Sequence, residues 1–243
     1  MSFRMSCSDE KISSQLHAAI LLYGNNHGLN FASVHGVDNF KQQPRIKAGV
    51  PASKEAIRNL MESLSPETAL PKMLFPQQVL AAGSGYLAWY IEPCQRNLWF
   101  SCPELGGKVN GMVPLPGLVF ILEESGGWHV FAYKGKGRPQ PETVLFNSPF
   151  LNVWAGGKIC EGNAGRPDKF GMEVIGEWED RFFTSRFTHT NTEHRSITRY
   201  KGGAYQMWQD LLSGKWKTFP QAMLVSTNKT LQEHFKAIVG DRS

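Results

Sequence analysis

From Val79 to Phe146 the chain is a series of short apolar and aromatic runs, each cut off by turn residues before it reaches helix length. Short runs rich in aromatic and β-branched side chains form strands, because such side chains suit a pleated, half-buried surface. Residues 86–91 and 97–100 are two such runs, with Pro93 between them. Residues 118–122 and 128–133 flank Glu124-Ser125-Gly126-Gly127, which predicts an antiparallel hairpin. Residues 143–146 supply a further strand. Strands this close in sequence tend to neighbour one another, so the expected framework is an antiparallel meander ending near Phe146. Its apolar face needs cover. Trp178, Phe182, Phe183 and Phe187 recur at helical spacing, as do Ala204, Met207, Trp208, Leu211 and Leu212. The predicted class is therefore α+β, with helices packed behind the meander and these aromatics in its core.

The first third reads as an added piece. An apolar run over 16–23 ends at Gly24-Asn25-Asn26 and residues 30–37 alternate, which together predict a hairpin. Ser53 is a candidate N-cap for a helix carrying Ile57, Leu60, Met61 and Leu64, and Pro66 and Pro71 break that pattern. The expected organisation is an N-terminal α/β extension over 1–75 and a main domain over 76–243. A chain of 243 residues can bury a sizeable core, and 41% hydrophobic with 19% charged residues is an ordinary globular composition. The net charge of +5 is modest, and only Lys134, Lys136 and Arg138 are closely spaced, so no nucleic-acid partner is expected. The opening residues lack the order of a signal peptide, and no apolar run approaches the roughly 18 residues of a membrane helix. A cytoplasmic protein with no membrane partner is the default expectation.

Cys7, Cys94, Cys102 and Cys160 make no Cys-x-x-Cys pair, and Cys94 and Cys102 stand eight apart, too loose for a zinc knuckle. Reduced thiols are expected, with no metal and no cofactor. Cys160 has the most informative surroundings. Asn152 precedes it by eight positions and Gly157 by three, with Lys158-Ile159 between and Glu161-Gly162 after. A thiolate is a nucleophile that can take up an acyl group as a thioester. When an amine attacks that thioester an oxyanion develops, and a fixed amide such as Asn152 could donate to it. Gly157 would give the backbone a positive φ just ahead of the cysteine. This chemistry predicts that the Asn152 side chain lies near the Cys160 sulfur. It also predicts that 156–166, rich in small and polar residues, is open to solvent. The competing reading is a buried structural cysteine at the end of a hairpin.

This spacing resembles that of ubiquitin-conjugating enzymes, in which His-Pro-Asn leads to Gly-x-Ile/Val-Cys; here Phe150-Leu151 stands in place of His-Pro. The segment from Pro139 to Phe146 looks like their proline-flanked strand before the active-site loop. A resemblance to PRTRC system protein B, a prokaryotic family of ubiquitin-conjugating-like proteins, covers most of the chain. It is carried by Val79-Leu80-Ala81, Trp89-Tyr90, Arg96-Asn97-Leu98-Trp99-Phe100, Pro116-Gly117-Leu118-Val119-Phe120, Arg138-Pro139, Pro149-Phe150-Leu151-Asn152-Val153 and Trp178-Glu179. The run from Phe182 through Phe183-Thr184-Ser185-Arg186-Phe187-Thr188 to His189 completes the set. The resemblance implies a ubiquitin-conjugating-like fold, an antiparallel β-meander with C-terminal helices. It also implies a carrier step: Cys160 would accept a small ubiquitin-like protein from a ThiF-type activating enzyme and pass it to an amine. A JAB-type metalloprotease is associated with such systems.

His189 is the third catalytic candidate after Cys160 and Asn152. Near the sulfur it could lower the thiol pKa or take a proton from the incoming amine. As a helix C-terminal histidine it would instead meet the macrodipole or backbone carbonyls. Asp168 is a candidate for orienting a lysine acceptor. His27, His35, His129, His194 and His234 carry no predicted role. Two other functions stay open: a cysteine hydrolase using Cys160 and His189, and a catalytically inactive scaffold that binds a ubiquitin-like partner.

Overall fold

The computed structural model describes residues 16–25, 28–40, 43–53, 55, 57, 75–83, 85–124, 126–162 and 164–240. The chain divides into two compact units, Met1–Met73 and Leu74–Ser243. In the first, β1 (Ala18–Asn25), β2 (Gly28–Phe40) and β3 (Gln43–Pro51) form an antiparallel sheet in that order. Its first two strands are the hairpin expected from the sequence, pairing Ile20 with Val34 and Tyr23 with Phe31. The pattern does not announce β3, because Pro44, Pro51, Arg45 and Lys47 hide its alternation; it is an edge strand, where proline is tolerated, and is exposed throughout. Beyond it, Ile57 N–H donates to the Ser53 carbonyl at 3.1 Å, the first turn of the predicted helix. Leu60, Met61, Leu64, Pro66 and Pro71 lie outside the described residues, as do Cys7 and His27.

The second unit holds β4 (Val79–Gly83), β5 (Tyr86–Ile91), β6 (Gln95–Cys102), β7 (Gly107–Pro114), β8 (Gly117–Glu123), β9 (Trp128–Tyr133) and β10 (Val144–Asn147). After these come α1 (Ile175–Thr184), β11 (Arg186–Phe187), α2 (His194–Ile197), α3 (Gly203–Leu212), β12 (Ser226–Thr230) and α4 (Leu231–Val239). The secondary structure is mixed and mostly antiparallel, compatible with a ubiquitin-conjugating-like fold. It is not the simple meander expected. One sheet runs β12-β10-β9-β8-β5-β4, so β5 pairs directly with β8, Trp89 opposite Phe120. The β6–β7 hairpin leaves that sheet and joins β11 in a second one, of order β11-β6-β7. Prolines mark both crossings, Pro93 on the way out and Pro116 on the way back, and Leu115 N–H closes the excursion on the Cys94 carbonyl at 2.8 Å. Residues 97–100 thus belong to the second sheet. Phe187 is likewise not helical: α1 stops at Thr184, and Phe187 pairs in parallel with Phe100.

Two cores follow from the two faces of the six-stranded sheet. On one face Trp89, Phe120 and Trp128 pack with Phe100 of β6, Trp178 and Phe182 of α1, and Trp208 of α3. On the other, Phe131, Tyr133 and Leu145 pack with Leu231 and Val239 of α4. Fully burying one such large apolar side chain contributes roughly 1.5–3 kcal/mol. Among the described residues no helix is long and apolar enough to cross a membrane.

Candidate functional site

The segment leading to the cysteine begins in the core. Phe150 and Leu151 are 1% and 0% exposed. The Phe150 ring lies 5.0 Å from Phe182, 5.4 Å from Phe187 and 5.5 Å from Trp208, and the Trp208 indole N–H donates to the Pro149 carbonyl at 3.0 Å. The residues standing where His-Pro would be are therefore an apolar anchor that fixes where the loop starts.

From that anchor, 152–160 folds into a small hairpin. Cys160 N–H donates to the Asn152 carbonyl at 2.8 Å, Trp154 N–H to the Lys158 carbonyl at 2.8 Å, and Val153 bridges to Ile159. Its second limb docks on β9, with Val130 N–H on the Gly157 carbonyl and Ile159 N–H on the Trp128 carbonyl, both at 2.8 Å. Gly157 has φ 83°, and a Cβ there would stand 2.6 Å from the Phe131 ring and 3.0 Å from the Val130 carbonyl oxygen. Glycine is required on both grounds. This docking corrects the expectation of a uniformly open loop. Gly156, Lys158, Gly162 and Gly165 are exposed, but Gly157, Ile159 and Ala164 are buried and Cys160 is half-buried; Asn163 lies outside the described residues.

Asn152 joins this hairpin to the segment after β11. Its φ is 59°, a left-handed conformation that asparagine tolerates better than most residues. Its N–H donates to the His189 carbonyl at 2.9 Å, and Nδ2 donates to the Arg186 carbonyl at 2.9 Å. Oδ1 accepts from Thr188 N–H at 3.1 Å, from Thr188 Oγ1 at 2.8 Å and from His189 N–H at 3.3 Å. Asn152, Cys160 and His189 are thus one hydrogen-bonded unit. The link from Asn152 to Cys160 runs through the backbone carbonyl, while the side chain is engaged with 186–189. His189 is exposed beyond β11, not at a helix end, and its Nδ1 lies 2.8 Å from Thr188 Oγ1.

After the cysteine, Arg166 grips the Glu161 carboxylate with two donors, Nε at 2.7 Å and Nη2, and donates from Nη2 to the Gly126 carbonyl at 3.2 Å. The clamp ties the loop to the β8–β9 turn. Asp168 follows it, exposed. Beside the hairpin tip lies a recess of about 150 Å³ bordered by Ser148, Trp154, Gly156, Thr192 and Ser196. The other described thiols are poor nucleophiles. Burial, reinforced by the Glu104 carboxylate, pushes Cys102 up to about 11, and burial raises Cys94 as well. No group of three or more His, Cys, Asp or Glu among the described residues is arranged to hold a metal ion. Sequence reasoning assigned no role to Thr188 or to the Glu161–Arg166 clamp, whose partners become visible only once the loop has closed.

A half-buried thiol thus sits on a hydrogen-bonded hairpin whose Asn152 also bonds the backbone of the exposed His189. No curated protein and no solved structure gives a match to the chain. The sequence model of prokaryotic E2 family D, however, matches residues 56–227, well over half of the chain. That match spans β4 to β11, the hairpin of Cys160 and the segment of His189. The chain belongs to prokaryotic E2 family D, a ubiquitin-conjugating-like family.

Proposed function

We propose that this protein is a carrier in ubiquitin-like conjugation, within the family a relative of PRTRC system protein B. A ThiF-type activating enzyme would load a small ubiquitin-like protein onto Cys160 as a thioester, and an amine would then receive it. A JAB-type protease of the same system would reverse the product. The observation that supports this most is the unit in which Asn152 holds Cys160 on its carbonyl and His189 on its backbone and amide oxygen. The test is non-reducing electrophoresis after incubation with the activating enzyme, the ubiquitin-like protein and ATP. The expected result is an adduct destroyed by reductant, lost in Cys160→Ala, converted to a reductant-resistant oxyester in Cys160→Ser, and retained in Cys7, Cys94 and Cys102 variants. Cleavage of conjugates instead would point to a hydrolase.

A second reading has its own support. Phe150-Leu151 replaces His-Pro, and the Asn152 amide already serves Arg186 and Thr188, an arrangement that suits a scaffold as well as an enzyme. Binding of the ubiquitin-like protein without any reducible adduct would establish the scaffold.

A further inference from the structure

We infer that Thr188 is a positioning residue that fixes the proton on His189, so that Nε2 becomes the proton acceptor when the thioester is discharged. The inference rests on the carrier reading for its chemistry, but its first half stands on hydrogen-bond logic alone. The orientation of the Asn152 amide is set by its neighbours: one end receives the backbone N–H groups of Thr188 and His189 and must be Oδ1, while the other faces the Arg186 carbonyl and must be Nδ2. An amide oxygen only accepts. Thr188 Oγ1 lies 2.8 Å from it, and two oxygens at that distance repel unless a proton lies between them, so the threonine hydroxyl proton points at Asn152. That was its one proton. Thr188 Oγ1 therefore faces His189 Nδ1, 2.8 Å away, with lone pairs alone, and Nδ1 must carry the hydrogen. In the neutral ring this leaves Nε2 as the acceptor, on a side chain exposed to solvent.

The consequence falls on the second half of the reaction. An amine nitrogen attacks the thioester carbonyl, a C–N bond forms, the C–S bond breaks and Cys160 leaves as thiolate. The proton shed by that nitrogen passes to His189 Nε2. A histidine free to adopt either tautomer would present the acceptor only part of the time. Asn152 thus acts through Thr188 on the ring, a role separate from donation to an oxyanion.

Two readouts test this. The first needs no turnover: ¹⁵N spectra of the histidine ring, assigned with His189→Gln, in the full-length protein. Wild type and Thr188→Ser should show a pyrrole-type Nδ1 and a pyridine-type Nε2 in the neutral ring, and Thr188→Val should lose that bias. A neutral wild-type ring with its proton on Nε2 overturns the inference whatever the activity. The second readout is single-turnover discharge of the preformed thioester to free lysine. Thr188→Val should slow it on the order of tenfold, with charging unchanged and Thr188→Ser restoring the rate. In a His189→Gln background Thr188→Val should add nothing, whereas a merely structural role would slow discharge further. Wild-type protein that shows the expected tautomer but never forms an adduct overturns the carrier reading alone.

Discussion

Asn152 combines two demands that few residues meet together, a φ of 59° and a side chain that both donates and accepts. Its spacing from Cys160 is legible in the sequence, and so is the glycine three residues before the cysteine. Its wiring is not, because three of its partners are the backbone of Arg186, Thr188 and His189, and a backbone group leaves no mark on residue type. The Asn152 amide is drawn to a segment whose closeness depends on β11 reaching β6, and the bond that links Asn152 to Cys160 runs from the Cys160 N–H to the Asn152 carbonyl. Substitution can separate the two demands. Asn152→Gly keeps the left-handed backbone and deletes the side chain, and should cost about 1–3 kcal/mol, because donors at Thr188 and His189 lose their acceptor. Asn152→Ala should cost roughly 1 kcal/mol more, for the strain of a Cβ at this φ. Urea midpoints at unchanged m-value measure both. A glycine variant as stable as wild type would remove Asn152 from its place as the joint.

The hairpin of 152–160 is the element that turns a residue pattern into a site, and adjacent glycines at its tip allow its docking to be tested. Both have positive φ, 81° at Gly156 and 83° at Gly157, but a Cβ at Gly156 would meet open space while one at Gly157 would meet Phe131 and the Val130 carbonyl. Gly156→Ala should cost about 1 kcal/mol, the backbone term alone. Gly157→Ala should add a further 1–3 kcal/mol of overpacking and lift the limb from β9. Thermal midpoints rank the pair, and faster alkylation of Cys160 in Gly157→Ala at fixed pH would register the lifting; equal midpoints would mean that the limb is not docked. Other elements show what pattern can and cannot carry. The β8–β9 hairpin is marked by its turn and the faces of α1 and α3 by their period, since both signals are local. The transfer of β6 and β7 to a second sheet is a choice between equally strand-like neighbours, decided by prolines at the crossings and by the burial of Leu98 and Phe100. α4 carries a readable signal of another kind: Thr230 caps Glu233 N–H and Glu233 returns to Thr230 N–H, a capping box written as Thr-Leu-Gln-Glu.

Across the second unit, the site and the C-terminal helix meet at a single ring. Phe131 of β9 blocks any side chain at Gly157 and lies 4.1 Å from the His234 ring of α4. α4 is held here by Leu231 N–H on the Thr143 carbonyl at 2.8 Å, by Gln232 N–H on the Pro141 carbonyl at 3.0 Å, and by His234 Nε2 at 2.8 Å from Thr227 Oγ1. His234 is 8% exposed. Burial, with Lys229 and His129 nearby and opposed only by Glu233, pulls its pKa down to about 4 from an ordinary 6.5. His129, half-buried on β9 beside Lys158, is shifted the same way. The sign follows directly: between pH 4 and 6.5 the unfolded chain binds a proton at His234 that the folded one refuses, so stability rises with pH across that window. The contribution is complete above about pH 6.5 and drains away as pH falls toward 4, on the order of 3 kcal/mol in all. His234→Gln, neutral at every pH and able to bond Thr227, should flatten the stability–pH curve in that window and leave a residual slope to His129 and, toward the acid end, to the lowered carboxyls of Glu104 and Glu233, opposed by the raised Glu179. Urea unfolding at pH 4.5, 5.5 and 7.5 provides the comparison. A variant whose slope matches wild type would show that the helix docks independently of the charge on His234.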